Sequence, residues 1–285
     1  SLVFTHDTYL SSVRYFAIDN TNKIFLLVLS VVFLMAAVYN TGYIKHMKHE
    51  EKRIRFYMFL MLIFIFAMTG TTLSTNLGLA WVFVEATTLT TAYLIYFNRT
   101  RNSIEAAWKY EFICSVGIAL AFVGIILLNI STDRVNSLNY AILACNSFQF
   151  DPFWMKAAFV FIVFGFGTKM GLAPVHFWLP DAHSESPSPI SALLSATLLN
   201  SAFLVILRVL RILETSGHDS YGRLILLVMG FSSLLVTAVY VNKIKNYKRM
   251  LAYSSVENMG ILAIGTALGP AAMYAVMLHV IGHSF

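Results

Sequence analysis

The chain has 285 residues, 58% of them hydrophobic and only 12% charged, with a mean hydropathy of +0.71. A soluble domain carries about twice that charged fraction, so the excess apolar surface requires lipid and a soluble globule is excluded. The formal charge of +6 does not point to nucleic acid either. The basic residues sit in short clusters between apolar stretches, where the positive-inside rule puts them.

Residues 1–23 are mixed polar and aromatic, begin on Ser and lack the charged and apolar regions of a signal peptide. A membrane helix needs about 20 largely apolar residues. Nine stretches approach that: 24–44, 56–75, 78–97, 111–130, 153–174, 189–207, 224–241, 251–268 and 271–285. The last stops on His-Ser-Phe within an apolar pattern, so the chain reads as a piece of a longer protein, cut at both ends. The connections are short except for loops expected at 131–151 and near 208–223. With no linker or repeat, residues 1–285 read as a single all-α transmembrane bundle of about eight complete spans and one truncated span. Cys114 falls inside a span and Cys145 in a loop, with no metal spacing between them.

Counting Lys and Arg sets the orientation. Lys45, Lys48, Lys52, Arg53, Arg55, Arg99, Arg101, Lys109, Lys243, Lys245, Lys248 and Arg249 fall on one face. Arg14, Arg134, Lys156, Arg208, Arg211 and Arg223 fall on the other. The richer face is assigned to the cytoplasm, and with it the 175–188 connection.

Ionisable groups inside a span are costly and mark ion pathways. Glu85 lies about 12 Å into the third stretch and is followed by Thr87, Thr88, Thr90 and Thr91. It is either a relay carboxyl or a protonated structural one. Lys169 stands among Gly165, Gly167 and Gly171, ahead of Ala173-Pro174. Proline removes a backbone donor, and broken helices recur where a span lines a wet cavity, so the fifth span is expected to be interrupted between Lys169 and Pro174. A lysine snorkelling to the interface is the plainer alternative. Two opposite charges in separate spans each need a partner, which predicts Glu85 and Lys169 about 4–8 Å apart.

Pro180 to Pro189 reads as a polar loop re-entering the sixth span, with Asp181, His183 and Glu185 at a membrane face. A proton entrance or a subunit contact fits them better than a metal site. Ser255, Glu257 and Asn258 form a further polar patch early in the eighth stretch, either structural or functional. His279 and His283, four residues apart, share one face of the last helix. Imidazoles can pass protons; packing histidines or a metal pair are the alternatives, with no third ligand at suitable spacing.

The run GFGTKMGLAPVHFWLPDAHSESPSPISALLS from Gly165 to Ser195 resembles the signature of the antiporter-like membrane subunits of respiratory complex I and its relatives. KRMLAYSSVENMG from Lys248 to Gly260 and the Glu85 span are similar to it too, and the wording is closest to the F component of the hydrogenase-4 type. The resemblance implies a fold of inverted helix repeats, each with one broken helix. It also places a paired glutamate and lysine on Glu85 and Lys169, and central histidines on His279 and His283. Asn200 stands where some relatives carry a second relay lysine, and there it would order water.

The expected function is that of a proton-translocating membrane subunit of a redox-driven complex, using Glu85, Lys169, Asn200, His279 and His283. It would work with other membrane subunits and a peripheral redox or hydrogenase arm, in a bacterial or archaeal cytoplasmic membrane. No cofactor motif is present in the sequence, so electron transfer is assigned to partners. A sodium/proton antiporter subunit and a non-pumping scaffold are the rival readings.

Overall fold

The computed structural model describes residues 15–46, 50–132, 135 and 137–285. Arg14, Lys48 and Arg134 lie outside the described residues. The regular structure is helical: α1 (Asn20–His46), α2 (Glu51–Leu73), α3 (Leu77–Ile95), α4 (Arg101–Ser131), α5 (Tyr140–Asn146), α6 (Pro152–Met170) and α7 (Trp178–Glu185) come first. Then α8 (Ser188–Leu193) runs through a π turn at Leu194–Leu198 into α9 (Leu199–Thr215), followed by α10 (Asp219–Tyr240), α11 (Tyr247–Ala267) and α12 (Met273–Ser284).

Seven of these are long and apolar enough to cross a membrane: α1, α2, α3, α4, α6, the continuous α8–α9 and α10. Two of the nine apolar stretches are not among them. The 21 residues of α11 include Lys248, Arg249, Glu257 and Asn258, which make it more polar, and α12 has 12 residues.

Local chemistry sets where the helices begin. Asn76 caps α3 by accepting from the Leu79 N–H, and Thr100 caps α4 by accepting from Ser103. Asp151 caps α6, with Pro152 at its first position. Each satisfies an amide that a helix leaves open, a matter of about 1 kcal/mol per cap.

Three segments expected as loops are helical. The 131–151 connection contains α5, capped by Asn139, so Cys145 sits on an exposed helix rather than in a loop. α9 continues to Thr215 because Arg208 is partnered within it. Its guanidinium donates to Asp19 Oδ2 at 3.1 Å, to the Thr72 carbonyl at 3.3 Å and to the Ser74 carbonyl, and lies 5.2 Å from the Tyr140 ring. Charge alone suggested a loop; pairing made a helix affordable. The third segment, Pro180–Glu185, belongs to α7.

The centre of the bundle is the contact between α4 and α6. Small residues let the two backbones approach, as at other membrane helix interfaces. A Cβ on Gly165 would fall 2.6 Å from the Ala121 amide nitrogen and the Gly117 carbonyl, and one on Gly117 would fall 2.7 Å from Thr168. The close-approach glycine of α6 is therefore Gly165; a Cβ on Gly167 would meet only side chains, Met229 at 3.2 Å and Leu172 at 3.8 Å. This seam fixes the height and rotation of Thr168 and Lys169.

Candidate functional site

α6 stops at Met170. Gly171 caps it with φ +78°, its N–H and that of Leu172 returning to the Gly167 and Thr168 carbonyls. Helix does not resume until Trp178. The span is broken where the Gly-Pro composition put it, with the gap running on past Pro174. Two side-chain bonds hold the break: Ser233 Oγ accepts from the Ala173 N–H at 2.9 Å, and Trp178 Nε1 donates to the Thr168 carbonyl at 2.7 Å.

Lys169 sits in the last turn before the break and is 0% exposed. Full burial rules out snorkelling to the interface. Its Nζ donates to Tyr110 Oη at 2.8 Å and lies 4.7 Å from the same ring. Tyr110 in turn meets Trp178 edge to face, centroids 5.0 Å apart. The break thus supplies the wall of the lysine site, because Trp178 exists as a neighbour only where the chain turns back.

The Glu85 and Glu111 carboxyls and the Cys114 thiol all act electrostatically on Lys169. Yet among the described residues no carboxylate oxygen comes within 4.0 Å of Nζ. Glu85 Oε2 accepts from Thr88 Oγ1 at 3.2 Å, so the threonine run after Glu85 contributes directly to its environment. Tyr110, Glu111 and Cys114 are neighbours of Lys169 that the sequence reading did not assemble. Glu111 stood at the edge of an expected span starting at 111. In the structure α4 begins at Arg101, which places Glu111 about 15 Å inside the helix. Tyr110 and Cys114, four residues apart, share its lysine-facing side.

A second cluster joins α7, α8–α9 and α12. His183 is buried, with Nδ1 3.0 Å from Ser191 Oγ, and it is coupled electrostatically to His283. Asn200 Nδ2 donates to the Ala196 carbonyl at 2.7 Å and to Ser284 Oγ at 2.9 Å, next to His283. His183 Nε2, Asn200 Oδ1, His279 Nε2 and His283 Nε2 are all buried without a hydrogen-bond partner. Buried polar atoms without protein partners are the usual seats of ordered water. No hydrogen bond among the described residues joins this cluster to the lysine cluster.

The expectation for Asp181, His183 and Glu185 as a loop at the membrane face is corrected. They lie on helix α7, where His183 points inward, and Asp181 is engaged within the chain. Its carboxylate meets Lys109 at 3.1 Å and Arg249 at 2.9 Å, while Lys248 Nζ donates to the Ser186 carbonyl at 2.6 Å. The basic ends of α4 and α11 thus converge on the lower half of the broken span, all on the face that the charge count assigned to one side.

Residues 74–285 match the family described as NADH:quinone oxidoreductase/Mrp antiporter, TM. The chain is 37% identical over 280 residues to a hydrogenase-4 component F homolog of Methylacidiphilum infernorum, a match covering 95% of this chain and 59% of that relative. It is 31% identical over 261 residues to NADH-quinone oxidoreductase subunit N of Desulforudis audaxviator, covering 91% of this chain and 51% of the relative. Among solved structures, a chain of the archaeal membrane-bound sulfane sulfur reductase superposes with a TM-score of 0.85 at 27% identity, over 92% of this chain and 53% of that one. A chain of the Mrp complex from Dietzia sp. DQ12-45-1b shares the fold, with a TM-score of 0.81 at 21% identity over 94% of this chain and 49% of that one. The chain therefore spans about half to three fifths of the length of these relatives. With this match and seven membrane-crossing helices, the chain is a multi-pass membrane protein belonging to the NADH:quinone oxidoreductase/Mrp antiporter transmembrane family.

Proposed function

We propose that the chain moves protons across the membrane as one membrane subunit of a redox-driven complex, with electron transfer carried by a peripheral redox or hydrogenase arm. Residues 1–285 act as a single transmembrane unit in it. The observation that carries this reading is Lys169: a fully buried amine at the end of a broken helix, bonded to one tyrosine, with two carboxyls in electrostatic range but none in a closed ion pair. Unlike a guanidinium, an amine can both take up and release a proton, and the balance between the two depends on its neighbours. Glu85 sets that balance. The proton then passes by water to Asn200, His279 and His283, whose unpartnered buried atoms supply the donors and acceptors such a route needs. Asp181 and His183 belong to the cytoplasmic approach, His183 as the inner group and Asp181 as the clamp on α7.

Membership of a family whose description includes the Mrp antiporter supports cation/proton exchange as the second reading. An amine can take up and release a proton but offers a sodium ion no oxygen ligand, which favours the proton. The test is ion movement in vesicles holding the whole complex, beside electron transfer. Lys169→Ala is expected to abolish proton transfer with assembly intact, and Lys169→Arg to fail too, since guanidinium does not release its proton. Normal pumping by Lys169→Ala would leave a non-pumping scaffold; sodium-dependent proton release would select the exchanger.

A further inference from the structure

The α3–α4 side of the lysine site contains a feature that the proposed relay does not use. A groove of about 430 Å³ runs between the end of α3 and the start of α4, lined by Leu89, Ala92, Tyr93 and Tyr96 on one side and Trp108 and Glu111 on the other. It lies towards the end of the bundle that carries Arg99, Arg101 and Lys109. Glu111, one of its lining residues, is half-buried and its Oε2 is buried without a hydrogen-bond partner. Glu111 is the chain neighbour of Tyr110, the residue that holds Lys169 Nζ.

We propose that Glu111 is a proton-loading carboxyl for Lys169, fed through the α3–α4 groove as a second approach beside the one past His183; this rests on the proton-translocating reading above. The site holds one amine and two carboxyls within mutual electrostatic range. With the amine charged and both carboxyls ionised, the membrane interior would hold one excess negative charge, which is costly there. One carboxyl therefore carries a proton. Glu85 Oε2 already accepts from the Thr88 hydroxyl, whereas Glu111 Oε2 has no hydrogen-bond partner. Glu111 is the carboxyl that holds the proton. In the transfer step the Glu111 O–H bond breaks and an N–H bond forms on the neutral Lys169 amine, through Tyr110 or a water. The carboxylate left behind takes a proton from a hydronium ion that has entered the groove, which returns to water.

The test uses the whole complex in vesicles, with proton uptake measured per electron transferred for E111Q, E111D, A92F and K169A. Glutamine preserves shape but holds no transferable proton, so E111Q should slow uptake about a hundredfold, the scale of losing a general acid. E111D keeps the carboxyl and should recover much of the rate. A92F leaves Glu111 untouched and fills the groove, so it should slow uptake as well. The proposal is overturned if E111Q or A92F takes up protons within about twofold of the native rate, or if E111D is no faster than E111Q. Only the role of Glu111 is lost if K169A is silent in that case. If K169A pumps normally, the proton-translocating reading falls first.

Discussion

Burying an ammonium in a membrane interior costs several kcal/mol unless neighbours compensate. At Lys169 the compensation is a hydroxyl, an aromatic face and two carboxyls at a distance. Tyr110 combines the first two, and Phe at that position would keep the ring and its edge contact with Trp178 while deleting the acceptor. A hydrogen bond to a charged donor is worth about 1.5–3 kcal/mol, so Tyr110→Phe should remove a large part of what holds the amine in place. The expected outcome is slower proton transfer with a melting temperature only a few degrees below native. Vesicle pumping and a detergent melting curve check both, and a native pumping rate would show that the hydroxyl is dispensable. Glu85→Gln acts on the same balance from the other helix. It should uncouple proton release from electron transfer rather than stop it, read as a lower ratio of protons moved to electrons transferred.

The break between α6 and α7 is held by elements, not by one bond. Gly171 occupies φ +78° and a Cβ there would run into Leu179. Gly217, at φ +80°, has nothing within 4 Å of the same added atom. Alanine at either position incurs the backbone strain, about 1–3 kcal/mol, but only at 171 does it also push on α7. Gly171→Ala should therefore lower the melting temperature more than Gly217→Ala, and should reduce proton transfer, which Gly217→Ala should leave alone. Equal effects in both assays would mean that the contact with Leu179 does not matter. At the Lys- and Arg-rich side of the bundle, Asp181 bridges α4 and α11 through Lys109 and Arg249. The broken span is thus pinned at both of its halves, by the glycine seam above and by this ion-pair bridge below.

Across the whole molecule, the two ends of the bundle are tied differently. Arg208 has only 12% of its side chain exposed and joins α9 to Asp19 and to the α2–α3 junction, whereas Lys109 is 46% exposed. Removing a largely buried arginine strands its acceptors, so Arg208→Ala should cost about 3 kcal/mol. Lys109→Ala should cost less than about 1 kcal/mol, as exposed pairs do. Thermal unfolding of the two variants compares them directly, and similar losses would contradict this ranking. The sequence by itself determined the membrane setting, the helix positions and the broken span, because lipid punishes polarity so strongly that hydropathy and a Gly-Pro signature record these features locally. It also marked Glu85, Lys169 and the two C-terminal histidines, since an ionisable residue in an apolar run is conspicuous. It did not reveal the seven-residue α5, nor the extension of α9 or the helical state of Asp181 and His183, and in the last two charge imitates a loop until a distant partner is known. Only the tertiary structure gathered Tyr110, Glu111 and Cys114 around Lys169. Those residues look like an ordinary helix face in one dimension, and the seam of Gly117, Ala121 and Gly165 that brings α4 against α6 acts between segments about fifty residues apart.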